Sequence, residues 1–433
     1  MIFDINEGEK NSIEFESIKS DVYNAGVRRL IEETFNEMGD KDGNFIEQFK
    51  TTGFNQRLTE MYAFQALKEL NFEFNNGHSV PDFVVNKNGV ELCIEVTTAN
   101  KGSIQVEDYI DLDLKEQEEY KHNYVQIRVG SALTSKLKKE YWKLDHCKGK
   151  PIVLLIQNFF DDSVFFSPTP IANYLYGRSE SASYDESNQL VISVDDIQNH
   201  EFQSKIIESG FFNLDESKNI SAVIYTNAGT IAKFRRMSYQ IGYKLIEPLS
   251  FSRTGDIYNP APNVSIPKKI NLDFQKYCSV GFIEQWCDEL NVFHNPNALY
   301  PVNDSLFLDA VQHRVANGQT VTSMDLSRPH FFSSLTSSFP LPVDIGKYEN
   351  LEFMMKSDFY KFSFTSSGLY KEIAWIKVLN SDGLYAICAE DFIDHDYSFI
   401  LFKNRNNTLE ICDCQINMLS LAETFDKLNT YSN

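Results

Sequence analysis

Apolar and polar positions alternate with a helical period through residues 19–50, most clearly in the stretch Val22 to Ile31. A second amphipathic helix is predicted over 57–70, with Leu58, Met61, Tyr62, Ala66 and Leu70 as its buried stripe. Gly77, His78 and Ser79 then punctuate a turn. Two short runs follow, 82–85 and 90–96, separated by Asn86-Lys87-Asn88-Gly89, a hairpin-type connection. A further helix is predicted over about 128–143. After it, Pro151-Ile152-Val153-Leu154-Leu155-Ile156 is apolar without interruption, as a strand covered on both faces must be. Helix, hairpin, helix and buried strand together describe an α/β unit with a mixed central sheet flanked by helices.

Beyond residue 160 the periodicity weakens. Residues 220–225 read as a strand that extends the same sheet. Residues 245–305 are rich in Asn and Pro and read as irregular. From about 355 short β runs appear, such as 373–378 and 397–402. The expected organisation is an α/β domain over 1–245, an irregular linking region over 246–354 and a small β-rich module over 355–433. A chain of 433 residues is too long for one compact core, which agrees with this division.

Composition narrows the class. No run of 18 or more apolar residues exists, so no membrane span is expected. The first residues are acidic and lack the basic and apolar regions of a secretory signal. The seven cysteines are scattered, and only Cys412 and Cys414 are close, which alone makes no zinc site. Reduced thiols and a cytoplasmic location are expected. The sequence contains no G-x-S-x-G elbow, P-loop or G-x-G-x-x-G, and no H-x-x-x-H spacing. The segment from Phe293 to Ala298 is polar and turn-rich with one histidine, and it reads as a structural turn rather than a binding loop.

A net charge of −21 argues against a protein that coats nucleic acid over its whole surface. The charge is unevenly distributed. Residues 103–120 hold seven carboxylates against Lys115, whereas 127–150 hold seven cations against two anions, a local balance of +5. Arg128, Lys136, Lys138, Lys139 and Lys143 could track a phosphate backbone. Equally, the basic helix could be a solvated face paired with the acidic stretch. A smaller cluster, Lys233-Phe234-Arg235-Arg236, could add to a basic groove.

The candidate chemistry centres on three acids. Asp82 opens the first hairpin strand and Glu95 lies near the end of the second, so adjacent antiparallel strands can bring them together. Glu60 on the preceding helix can reach the same pocket. Three hard oxygen ligands facing one cavity suit Mg²⁺ or Mn²⁺. The plain alternatives are a turn cap for Asp82, a solvent-facing strand position for Glu95 and a surface helix position for Glu60.

Pro81-Asp82 followed by Glu95-Val96-Thr97, with Glu60 as the helix acid, resembles the PD-(D/E)XK nuclease superfamily over about residues 50–160. The resemblance implies a restriction-endonuclease-like core in which Asp82 and Glu95 bind the metal. It also implies a lysine two places after the second acid, positioning the attacking water. That place is held by Thr97, which cannot supply the charge. Lys101, just past the strand, and Lys136, on the next helix, are the candidates to replace it, and Gln126 and Arg128 could face the same pocket. The implied function is metal-dependent hydrolysis of phosphodiester bonds, with DNA favoured, in defence or DNA processing. A homodimer would suit a double-strand cutter. The alternative is a catalytically degenerate core that binds nucleic acid or protein. Other segments, including Arg128–Leu133, Ile220–Val223 and His294–Ala298, resemble an uncharacterised bacterial family of about this length. That resemblance implies a bacterial cytosolic origin and supplies no activity.

Overall fold

The computed structural model describes residues 2–3, 10–21, 24–102, 106, 111–160, 167–243, 249–259, 261, 264, 266–273, 283–325, 330–340, 350–354, 370–379, 381, 383–391, 397–406, 408–418 and 421–431. The chain divides into two compact units. The first comprises Met1–Tyr243, Arg253–Leu272 and Cys278–Thr336; the second comprises Lys244–Ser252, Asp273–Tyr277 and Ser337–Asn433.

The first unit begins with four helices: α1 (Ile13–Ser20), α2 (Ala25–Met38), α3 (Phe45–Lys50) and α4 (Phe54–Glu69). The helical period expected over 19–50 is therefore interrupted. Ser12 caps α1 by accepting from the Phe15 amide, and Gly39, at φ 78°, ends α2. The helix predicted over 57–70 is α4, and Leu58, Met61, Tyr62 and Ala66 are all buried on it.

Next come β1 (Glu73–Asn75), β2 (Phe83–Lys87) and β3 (Val90–Asn100). The β2–β3 hairpin pairs Lys87 with Val90, so Asn88 and Gly89 form its turn. Both have positive φ, 56° and 79°, the geometry that favours an Asn-Gly pair there. Then follow α5 (Leu114–Glu119), α6 (Val125–Leu137) and β4 (Ile152–Phe159). Helix α6 is shorter than the predicted 128–143, because Glu140 adopts a left-handed conformation and a 3₁₀ turn replaces the helix over Tyr141–Lys143. After α7 (Thr169–Tyr176), β5 (Arg178–Tyr184) pairs with β6 (Leu190–Asp196), and β7 (Asn199–Phe202) pairs with β8 (Lys205–Glu208). Strand β9 (Ala222–Thr226) and helix α8 (Ile231–Gln240) complete the region.

The region expected to be irregular is instead rich in strands: β10 (Leu249–Ile257), β11 (Lys268–Asp273), β12 (Asn291–His294), β13 (Val311–Ala316), β14 (Gln319–Ser323), β15 (Phe331–Pro340) and β16 (Leu351–Met354). Three of these extend the central sheet, whose order is β1-β2-β3-β4-β9-β12-β13-β14. Strand β12 has only four residues, all buried, followed at once by the Asn295-Pro296 turn. A run that short carries no readable period, and its partners β9 and β13 come from distant or intervening chain.

Strands β3, β4 and β9 are parallel neighbours, and β2 and β12 run antiparallel beside them. The sheet is thus mixed, and side-chain alternation feeds two cores. Ile94, Val96, Val153, Leu155 and Ile224 pack with α1–α4 and α8 on one face. Cys93, Ile152, Leu154, Ile156, Val223 and Tyr225 pack with α6 and α7 on the other. Burying each such aliphatic side chain stabilises by about 1.5–3 kcal/mol, which explains why the central strands read as continuous apolar runs.

The second unit contains a five-stranded antiparallel sheet, β16 with β17 (Tyr370–Val378), β18 (Leu384–Asp391), β19 (Tyr397–Arg405) and β20 (Thr408–Met418), followed by α9 (Leu421–Asn429). The β runs expected at 373–378 and 397–402 fall inside β17 and β19. Among the described residues no helix is long and apolar enough to cross a membrane.

Candidate active site

The β2–β3 hairpin brings Asp82 and Glu95 together. Asp82 Oδ2 accepts the Val96 amide at 2.7 Å, and Glu95 Oε2 accepts the Asp82 amide at 3.3 Å. Each acid is therefore held by the backbone that carries the other. Strand alternation puts Glu95 on the same side as Cys93, facing α6 rather than solvent, and it is only 6% exposed. There Lys136 Nζ donates to Glu95 Oε1 at 2.6 Å, and the Tyr141 hydroxyl also hydrogen-bonds to Glu95.

Glu60 comes from α4. Its Oε2 accepts from Arg57 at 2.7 Å and its Oε1 from Gln56 at 2.9 Å. Arg57 also donates to Asp42 at 2.7 Å and to Asn44 at 2.7 Å. Gln56 reaches across to the Val96 carbonyl at 3.1 Å, tying α4 to the strand that carries Glu95. Glu60, Asp82, Arg57, Asp42 and Lys41 line one small cavity of about 40 Å³.

The electrostatics follow from this crowding. Burial pushes Asp82 well above the ordinary carboxyl range, and the charges of Glu95 and Glu60 push it further; the Val96 amide and Lys136 oppose them. Burial also raises Glu60, with Arg57 pulling the other way. Desolvation, then Glu95, drives the Tyr141 phenol upward, so it stays a hydrogen-bond donor. Burial lowers Lys41, against the attraction of Asp82 and Glu60.

Of the two lysines considered for the place held by Thr97, Lys136 reaches Glu95. Lys101 is exposed one residue past the end of β3, roughly 20 Å along the strand from Glu95 at about 3.3 Å per residue. Thr97 itself is buried. Gln126 is wholly buried, with neither amide atom hydrogen-bonded among the described residues. Arg128 donates to the Asn100 carbonyl at 2.9 Å, beside the end of β3.

The basic segment is exposed at Lys138, Lys139 and Lys143. Lys143 pairs with Glu140, Lys148 with Asp145 and Lys150 with Glu91. Among the described residues no ion pair joins this segment to the acidic stretch. The second basic cluster does not belong to any groove. Lys233 and Arg236 are buried against Glu284, at 2.6 and 2.8 Å, in a network with Arg253 and Glu289. Arg235 instead donates to Asn24. The acids that neutralise the cluster lie about fifty residues further on, so the sequence run alone suggests an exposed patch. The turn expected over Phe293–Ala298 begins only at Asn295, because Phe293 and His294 end strand β12, where His294 is buried and bonded to Gln312.

Lys41, Arg57, Gln56 and Tyr141 were not identifiable as site residues from the acid motif. Arg57 carried a usable signal, since it precedes Glu60 by one helical turn. Lys41 lies in the bend after α2, and Tyr141, inside the helix expected over 128–143, instead opens a 3₁₀ turn; neither carried one.

Among the described residues no group of three or more His, Cys, Asp or Glu side chains is arranged to hold a metal ion. The pair Asp82 and Glu95 nevertheless offers hard oxygen donors. Asp82 Oδ1 has no partner among the described residues, and although burial is the first cause of the raised proton affinity of Asp82, the charges of Glu95 and Glu60 add to it, and a cation would relieve that part. Two carboxylates with water and substrate oxygens suffice for Mg²⁺, which seldom uses an all-protein cage. No family model, no curated protein and no solved structure matched the chain.

Proposed function

We propose that this protein is a metal-dependent nuclease of the restriction-endonuclease-like class, with DNA as the favoured substrate. One observation carries the reading: Asp82 and Glu95 converge across the hairpin while Lys136 from α6 reaches Glu95. In the PD-(D/E)XK pattern a lysine accompanies the second acid, and Lys136 brings that charge from the helix to the side of β3 where Thr97 leaves none.

Asp82 and Glu95 would hold Mg²⁺ or Mn²⁺. Such an ion, when bound, lowers the pKa of water and stabilises charge on a phosphoryl oxygen. Lys136 and Tyr141 orient the Glu95 carboxylate, and Gln56 and Arg57 hold Glu60 at the cavity wall. Exposed Lys138, Lys139 and Lys143 supply sequence-independent contacts to a phosphate backbone. A role in defence or DNA processing fits this chemistry.

The test is cleavage of plasmid and single-stranded DNA by the purified full chain with Mg²⁺ or Mn²⁺. The reading predicts metal-dependent cleavage that Asp82→Ala and Glu95→Ala both abolish.

A second reading rests on a specific observation. Glu95 is already paired with Lys136 and Glu60 with Arg57, so two of the three acids are neutralised without a metal. A catalytically degenerate core that binds nucleic acid or protein would have this pattern. A folded protein that binds DNA, but neither binds Mn²⁺ nor cleaves, would favour it.

A further inference from the structure

The cations of the site are not equivalent. Lys136 is paired with Glu95, and Arg57 with Glu60 and Asp42. Lys41 forms no ion pair among the described residues. Its ammonium donates to the Asp82 carbonyl at 2.9 Å and lies 5.2 Å from the centre of the Phe83 ring. A half-buried ammonium bonded only to a neutral acceptor retains most of its capacity to bind an anion.

Its position gives that capacity a direction. Lys41 lines the small cavity with Asp82 and Glu60, and it also lines a second, open cleft of about 430 Å³ formed with Met38, Gly39, Asp40, Asn76, Gly77 and His78, so that one carboxylate shares the cleft wall with the ammonium. The inner cavity, about 40 Å³, is large enough for a water or an ion but not for a nucleotide. The outer cleft can take a nucleotide-sized group. His78 on its wall stacks on His146 with ring centres 3.7 Å apart, giving a flat surface of the kind on which an unpaired base can stack.

We propose that Lys41 and the cleft around it form a phosphodiester-binding site, in which Lys41 holds a backbone phosphate of a single-stranded segment at the mouth of the carboxylate cavity. The inference rests on the nuclease reading for the identity of the anion. Lys41 acts here as a binding and positioning residue. Its charge offsets repulsion between the substrate phosphate and the acids behind it, and the narrow inner cavity keeps the sugar and base outside.

The experiment is a titration of fluorescein-labelled single-stranded DNA with the full chain in EDTA, over a salt series, comparing wild type with Lys41→Met and Lys41→Arg. Circular dichroism establishes that each variant is folded. The expected result is affinity about tenfold weaker for Lys41→Met, with a salt dependence shallower by about one phosphate contact, and recovery in Lys41→Arg. Unchanged affinity and salt slope in folded Lys41→Met overturn the inference, even if cleavage through Asp82 and Glu95 is found. A wild type that binds no DNA overturns it as well. A wild type that binds through Lys41 yet cleaves nothing supports the binding site and removes the nuclease reading.

Discussion

Lys136 Nζ stands 2.6 Å from Glu95 Oε1, so a cation from α6 meets the second strand acid of the β2–β3 hairpin. Glu95 is almost wholly buried while Lys136 keeps partial exposure. The pair is therefore open to solvent on the Lys136 side.

If Lys136 supplies the charge that Thr97 lacks, Lys136→Met lowers the rate of DNA cleavage by roughly 10²–10³-fold, the cost of removing one stabilising donor in an active site. Lys136→Arg restores part of that rate. DNA affinity changes far less than rate in both. A purely structural ion pair gives a different outcome: lower melting temperature with the cleavage rate of the folded fraction intact.

The crowding of acids also predicts how stability responds to pH. Burial, reinforced at Asp82 by Glu95 and Glu60, raises the folded-state pKa of Asp82 and Glu60. Both groups then bind protons more tightly folded than unfolded. Their contribution is fully favourable below the ordinary carboxyl range near about pH 4 and is lost as pH rises through their raised values. Asp82→Asn keeps an acceptor for the Val96 amide and removes the charge. Urea denaturation without metal should show the variant more stable than wild type near neutral pH, by on the order of 1 kcal/mol, with the difference vanishing in acid. A variant less stable than wild type at neutral pH would contradict this.

A divalent cation that binds at Asp82 and Glu95 stabilises the folded state by mass action, by about 2.7 kcal/mol at a hundredfold excess over the dissociation constant. Mn²⁺ should raise the melting temperature of wild type and leave that of Asp82→Asn unchanged. An equal rise in both would place the ion elsewhere.

The network beneath α8 predicts a structural effect distinct from the site. Burial opposes the charge of Glu284, but Arg236, Lys233 and Arg253 together outweigh it and hold its pKa far below normal. Glu284→Gln leaves three buried cations facing Glu289 alone. The expected loss is about 3–5 kcal/mol of stability, as for other broken buried pairs, measurable by denaturant titration. A loss under about 1 kcal/mol, the range of surface pairs, would contradict it.

The strands that position the acids were readable because each carries its own local signal. Asn88-Gly89 marks the hairpin turn, and the unbroken apolar run of β4 reflects cover on both faces. The approach of Asp82 to Glu95 follows from hairpin register, so it too could be anticipated. Strands β12 to β14 could not: β12 has only four residues, and the pairing that brings all three into the sheet is set by distant chain. Lys233 and Arg236 misled for a related reason: a run of cations looks solvated until Glu284 and Glu289 are placed against it. Lys41 sits in a bend and Tyr141 in a single 3₁₀ turn, where only the fold shows what they face.

Chemistry at Asp82 and Glu95 is tested most directly by DNA cleavage by the full chain with Mn²⁺ or Mg²⁺ against the same reaction in EDTA. The expected result is cleavage that needs the metal and disappears in folded Asp82→Ala and Glu95→Ala. Cleavage that survives both substitutions, or a folded wild type that cleaves neither plasmid nor single-stranded DNA with either metal, would contradict it.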